Sequence, residues 1–195
     1  MTAPVTYRPA VRGDARAIAG LFQISSDGVA DYVWTLLQDE YPGLSLIEIG
    51  EQRYARENTD FSYENCIVAE DSGRVVGMLH SYAMPDEIDP PPDDMDPVLR
   101  PYAELEIAAS LYISGLALVP EYRGRGIGTA LLDLARKRAR DMSLSQLSLI
   151  VFEANDGALR LYKREGFIEQ DRRAIVPHPL IHYTGDAILM AADVR

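Results

Sequence analysis

A mixed α/β fold, with a twisted β-sheet flanked by helices, is predicted by three features of the sequence. The apolar run Leu111 to Val119 (LYISGLALV) is strand-like throughout, and Pro120 closes it. An Arg/Gly-rich turn follows, then a helix-periodic segment from about Gly128 to Met142, with Ile127, Leu131 and Leu134 recurring on one face. Beyond it, Leu147 to Phe152 reads as a buried strand, so strands and helices alternate instead of segregating.

The flanking elements take their places around this centre. Val5 to Arg8 is a short β-like opening, and Asp14 is placed to cap a helix running to about Gln23, with Ile18, Leu21 and Phe22 on one face. A second helix is expected from Val29 to Gln38, carrying Val33, Trp34 and Leu37, and a third, with weaker caps, from Leu46 to Asn58. Asn65 to Glu70 and Val75 to Tyr82 form a hairpin across the turn signal Asp71-Ser72-Gly73-Arg74. A helix is expected from Val98 to about Ala108. Asn155 caps a short helix ending at Gly166, and Phe167 to Val176 and Asp186 to Ala192 are the closing strands. No internal repeat or linker divides the chain, so residues 1–195 are read as one domain.

Composition narrows the function. A formal net charge of -11 disfavours a nucleic-acid polyanion and favours cationic ligands such as amines. The single cysteine, Cys66, lies in the apolar run Cys66-Ile67-Val68-Ala69 and is read as a buried core residue in a protein of the reducing cytoplasm. Met1-Thr2-Ala3-Pro4 does not open a signal peptide, and no apolar run is long enough to span a bilayer. The proline-interrupted segment Pro85 to Pro97 carries six carboxylates; it reads as a solvated loop, with an acidic lid near an amine substrate as the sharper alternative. Its spacing lacks the glycine turn and terminal glutamate of a calcium loop.

The chemistry is concentrated between Glu121 and Thr129. Gly124, Gly126 and Gly128 remove side chains where a backbone must approach a ligand, and their amides stand just before a helix start, where unpaired N–H groups attract anions. Arg123 and Arg125 add positive charge, so the turn suits a diphosphate. A triphosphatase loop would need Lys-Ser or Lys-Thr after its last glycine, but Gly128 precedes Thr129-Ala130. A dinucleotide site needs Gly-x-Gly-x-x-Gly where this chain has Gly-x-Gly-x-Gly, although Glu153 after the next strand imitates the ribose-binding acid. A turn that merely joins strand to helix is the remaining alternative.

The segment Leu116-Ala117-Leu118-Val119-Pro120-Glu121-Tyr122-Arg123-Gly124-Arg125-Gly126-Ile127-Gly128 resembles the acyl-CoA-binding signature of the GNAT superfamily of N-acyltransferases, with Arg123, Gly126 and Gly128 at its fixed positions. Asn155-x-x-Ala158-x-x-x-Tyr162-x-x-x-Gly166-Phe167 resembles the second half of the same site. The resemblance implies a GNAT-like sheet and an acetyl-CoA-dependent N-acetyltransferase that moves acetyl directly to a primary amine of a small molecule or peptide. It implies that backbone groups of Leu116 and Leu118 hold the pantetheine arm and that amides from Gly124 to Thr129, Ile127 included, hold the pyrophosphate. It places Asn155 against the cofactor and the Tyr162 hydroxyl near the thioester sulfur. A phenol so placed can donate a proton to a departing thiolate. Acetyl-CoA is thus the expected co-substrate, with no metal, and a homodimer is compatible with the resemblance. A non-catalytic acyl-CoA sensor or partner-binding module is the alternative.

The resemblance leaves the general base open, because Leu111 to Val119 contains no carboxylate. Glu104, Glu106, backbone carbonyls and a water chain are candidates, with Ser114 and Tyr112 lining the reacting end and Gly115 permitting a bulge. His80, His178 and His182 lack the neighbours of a zinc site and are read as strand and loop residues. Trp34, Tyr32 and Tyr41 either shape an acceptor pocket or pack in the core.

Overall fold

In the computed structural model of the protein, which describes residues 5–194, all seven expected strands form. The reading of Met1 to Pro4 lies outside the described residues. In chain order the elements are β1 (Thr6–Pro9), α1 (Ala15–Ser26), α2 (Val29–Leu36), α3 (Leu46–Tyr54), β2 (Cys66–Asp71), β3 (Arg74–Ala83), α4 (Arg100–Ala103), β4 (Leu111–Leu118), α5 (Ile127–Asp141), β5 (Gln146–Phe152), α6 (Asp156–Arg164), β6 (Ile168–Ala174) and β7 (Asp186–Asp193). The strands form a mixed sheet of order β1-β2-β3-β4-β5-β7-β6, in which β4 and β5 pair in parallel and the other registered neighbours are antiparallel. Two compact units share the chain, residues 1–80 with 115–131 and residues 81–114 with 132–195; β3 and β4 contribute residues to both.

The first unit is organised by the β2–β3 hairpin. Ser72 and Gly73 take φ of 52° and 80°, the left-handed pair that a two-residue turn matched to strand twist requires. Asp71 therefore pairs with Arg74, and Cys66 with His80. On this hairpin α1 and α3 bury Ile18, Phe22, Ile49 and Tyr54, with Trp34 of α2 only 1% exposed. Phe22 stacks on Tyr54 with centroids 4.6 Å apart and meets the His80 ring edge-on at 5.2 Å, so His80 is buried among aromatic rings. Trp34 and Tyr32 are buried, and Tyr41 packs against the same core, which is the packing alternative for these aromatics.

Gly50 shows how tightly this core is built. A Cβ there would stand 2.6 Å from the Trp34 ring and 3.0 Å from the Ala19 methyl, and a rigid indole has no room to yield. Gly50→Ala should therefore destabilise the fold by about 1–3 kcal/mol, lowering the melting temperature by roughly 5 °C in a calorimetric scan.

Several local expectations need correction. Asp14 does not cap α1: its carboxylate accepts from the Val11 amide at 2.8 Å and from the Arg8 guanidinium at 2.7 Å, and this partly buried ion pair outcompetes the helix amides. The start of α3 is well capped, because the Ser45 amide donates to the Glu48 carboxylate at 2.9 Å in a reciprocal capping box. The helix expected over 98–108 is only the single turn α4, ended before Glu106; the boundaries of α2 and α3 are likewise shorter than expected, at Leu36 and Tyr54.

In the second unit β5 is buried between β4 and β7, with Leu147 and Leu149 fully covered. Ser110 and Ser148 share a buried hydrogen bond of 2.7 Å. β6 hangs on β7 at the edge of the order, and most of its residues are exposed. The segment 85–97 forms no helix or strand, as its prolines require.

Candidate functional site

The Arg/Gly loop belongs to the first unit. Pro120 starts a 3-10 turn in which the Tyr122 amide donates to Val119 O at 3.0 Å and the Arg123 amide to Pro120 O at 3.2 Å. Gly124 and Gly126 then take φ of 71° and 81°, conformations that side chains other than glycine adopt at a cost. A Cβ at either would meet no atom within 4 Å, so one face of the loop is open space bordered by backbone. The chain enters the 15-residue α5 at Ile127, and the amides of Ile127 and Gly128 fall in the first turn, where a helix leaves its N–H groups without internal acceptors. An open cradle of amides at the positive end of a helix dipole suits an anion.

Two cations border the cradle. Arg123 and Arg125 are exposed and make no ion pair among the described residues. The Arg123 Nε donates to the Leu118 carbonyl at 3.4 Å, and the Arg125 guanidinium lies 4.8 Å above the Tyr122 ring. The Tyr122 hydroxyl donates to the Asp71 Oδ2 at 2.6 Å, which holds that carboxyl below its usual range. Leu116 and Leu118 are half-buried on β4, alternating with buried Gly115 and Ala117. Gly115 has a packing reason and no bulge is needed for it: a Cβ there would lie 3.0 Å from the Phe22 ring and 3.1 Å from the Met78 methyl.

Asn155 and Tyr162 belong to the second unit. The Asn155 Oδ1 accepts from the Ala158 amide at 3.1 Å, the side-chain cap expected for α6. Tyr162 is buried, its ring 5.6 Å from Phe167, and burial pushes its hydroxyl up to about 12. No hydrogen bond within the described residues engages that hydroxyl. The helix that carries it is tied at its other end by α5: Arg136 donates to the Glu165 carbonyl at 2.6 Å, with its guanidinium 3.5 Å from the Glu165 carboxylate. Gly166, with φ of 83°, turns the chain back into β6.

The carboxylate candidates separate by their partners. Glu104 is engaged, accepting from the Arg173 Nε at 2.9 Å with Arg100 at 3.7 Å. Glu106 has no ion pair among the described residues, and the desolvation imposed by its surroundings raises its carboxyl although the side chain reaches solvent. Both line a cavity of about 300 Å³ with Ile88, Asp89, Pro90, Ala103 and Arg173, so the proline-rich acidic segment forms one of its walls. Tyr112, raised well above the usual phenol range by burial, lies within electrostatic reach of Tyr82, Glu106 and Tyr162. Arg173 was not legible as a site neighbour, since it meets Glu104 across 69 residues of sequence.

Other candidates fall away. Glu153 is held by Arg172 at 3.1 Å and accepts from the Asp186 amide at 3.3 Å, a structural role that uses up the acid a dinucleotide ribose would need. His178 lies in a loop bridge with Ile181, and no three His, Cys, Asp or Glu side chains among the described residues are grouped to hold a metal ion. Cys66 is buried, and no helix among the described residues is long and apolar enough to cross a membrane.

The chain resembles known proteins in sequence and in fold. The family model described as "Acetyltransferase (GNAT) family" matches residues 30–167, a span that contains the Arg/Gly loop, Asn155 and Tyr162. The thialysine N-epsilon-acetyltransferase of Bos taurus is 39% identical over 57 residues, covering 29% of this chain and 34% of that protein. The chain thus spans about a third of the length of curated relatives such as this one. Among solved structures, an acetyltransferase crystal structure superposes with a TM-score of 0.68 at 23% identity, covering 97% of this chain and 100% of that one. A GNAT family acetyltransferase from Elizabethkingia anophelis with acetyl-CoA bound has a TM-score of 0.58 at 16% identity, covering 97% of each chain. These likenesses are of fold.

Proposed function

Since the chain belongs to the acetyltransferase (GNAT) family, we propose that it transfers acetyl from acetyl-CoA directly to a primary amine of a small molecule or peptide. The observation that carries this reading is the loop itself: an open backbone cradle at a helix start, flanked by two arginines without ion pairs, inside the segment that the family model matches. In this reading the amides from Gly124 to Thr129 take the pyrophosphate, with Arg123 and Arg125 balancing its charge. Leu116 and Leu118 offer backbone groups to the pantetheine arm, Leu118 once its carbonyl is released by Arg123. Asn155 contacts the cofactor at the start of α6. Acetyl-CoA supplies the activated acyl group when bound, and no metal takes part.

The remaining chemistry is proton management. Only a neutral amine can attack, so its proton must leave, and the sulfur must be relieved of its developing charge. Tyr162 keeps its proton throughout the physiological range because burial holds it near 12. A free thiol titrates at about 8.5, so full transfer from such a phenol is uphill. Tyr162 therefore acts by hydrogen bonding to the developing negative charge, and solvent completes the protonation. Glu106 is the better base of the two glutamates: Glu104 is committed to Arg173, whereas the raised carboxyl of Glu106 lies closer to neutrality. In the cavity beside it Arg173 offsets Glu104, and Asp89 and Glu106 leave the lining acidic, which favours a cationic acceptor.

The test is release of free thiol from acetyl-CoA against a panel of primary amines. Turnover on at least one supports the reading; acetyl-CoA binding without turnover on any selects the sensor, and no binding at all removes the assignment. Glu106→Gln should lower kcat about tenfold, less than a fully enclosed base would give because water reaches this position. With the wild type, activity should fall as pH drops through a carboxyl raised above the usual glutamate range; a profile unchanged in the variant would remove Glu106 from the mechanism. We also read the two units as one folding domain in the cytoplasm, for which a single calorimetric unfolding transition is expected; two separate transitions would contradict it.

A further inference from the structure

The loop that offers its amides has no side-chain packing of its own at Gly124 or Gly126, where a Cβ would find nothing within 4 Å. What braces it comes from outside. The Tyr122 hydroxyl donates to Asp71 at the tip of the β2–β3 hairpin, 51 residues away in sequence, at 2.6 Å. The same hairpin supplies Ser72, whose hydroxyl donates to the other Asp71 oxygen at 2.9 Å, so the carboxylate is fixed from two sides. On the ring held in this way rests the Arg125 guanidinium, 4.8 Å from the centroid. A second, looser tie joins the same two segments, with Arg74 and Glu121 at 3.7 Å.

We propose that Asp71 and Tyr122 are positioning residues for the phosphate loop, a strut that presets Arg125 and the glycine backbone for the cofactor diphosphate. The physical reason is preorganisation. A glycine-rich segment freed from its brace samples many backbone states, and the cofactor would have to select the competent one at a cost in affinity. A planar guanidinium stacked on a fixed ring has fewer orientations to lose when it meets phosphate oxygens. A brace on the loop backbone acts on cofactor binding, so its effect is expected in affinity and not in the chemical step. The inference rests on the reading of the loop as an acetyl-CoA site.

The experiment is coenzyme A titration by calorimetry and acetyl-CoA steady-state kinetics on the full chain, wild type beside Asp71→Asn, Tyr122→Phe and the double variant. Tyr122→Phe keeps the ring under Arg125 and deletes only the hydroxyl. Each single variant should raise the Kd for coenzyme A and the KM for acetyl-CoA about three- to tenfold at unchanged kcat, and the double should be no worse than the poorer single. A merely structural role would lower the melting temperature without this KM-against-kcat split. Variants that bind coenzyme A as the wild type does overturn the strut while the loop reading stands; a wild type that binds no coenzyme A overturns both.

Discussion

Gly126→Glu should abolish detectable binding of coenzyme A while leaving the protein folded. The substitution places a carboxylate among the amides proposed to receive a diphosphate, so repulsion replaces attraction at the positive end of α5. It also forces a side chain onto a φ of 81°, a left-handed conformation that costs about 1–2 kcal/mol for an ordinary residue. The fold can bear that strain, because the new Cβ meets nothing within 4 Å and the core is untouched. The combination predicts a near-native melting temperature with a calorimetric titration that shows no heat of binding. Gly126→Ala is the control: strain without charge should weaken binding by about tenfold. Retained affinity in the glutamate variant would mean that the cofactor phosphates lie elsewhere.

Tyr162→Phe should lower kcat about 10²-fold with little change in the KM for acetyl-CoA. The ring of Tyr162 is packed against Phe167 and its hydroxyl has no hydrogen bond within the described residues, so phenylalanine preserves the packing and removes only the proposed donor. The pH profile sharpens the test. The active form is the protonated phenol, present at every pH below about 12, so Tyr162 should add no alkaline limb in the accessible range. An alkaline limb near 8 or 9 that vanished in the phenylalanine variant would contradict the environment described for it. Unchanged turnover would return Tyr162 to a packing role.

What the sequence made legible was local. The glycines at 124 and 126 announce a left-handed backbone because no other residue enters it so readily, and Asn155 announces a cap because its short amide reaches the third amide of its own helix. The hairpin turn at Ser72-Gly73 is of the same kind. The misreadings came from competition over distance. Asp14 has the position of a cap, yet Arg8 offers a charged bidentate partner that neutral helix amides cannot match. Glu104 and Glu106 looked equivalent until Arg173 claimed one of them. Tyr122 lies within the Arg/Gly motif, but its partner Asp71 stands in the β2–β3 hairpin, and no spacing rule links them.

The two ends of the strand order bear on assembly. β1 has only four residues and finishes with Pro9, which has no amide hydrogen to offer a neighbouring chain. β6 is longer, but Glu169 pairs with Arg172 and Asp171 with Arg173 along the strand itself. A second molecule docking there would have to strip water from ion pairs that are already satisfied. Both borders are therefore poor templates for strand addition, which keeps a crowded protein from zipping into filaments. A two-fold dimer built by extending the sheet is therefore the arrangement these two borders disfavour.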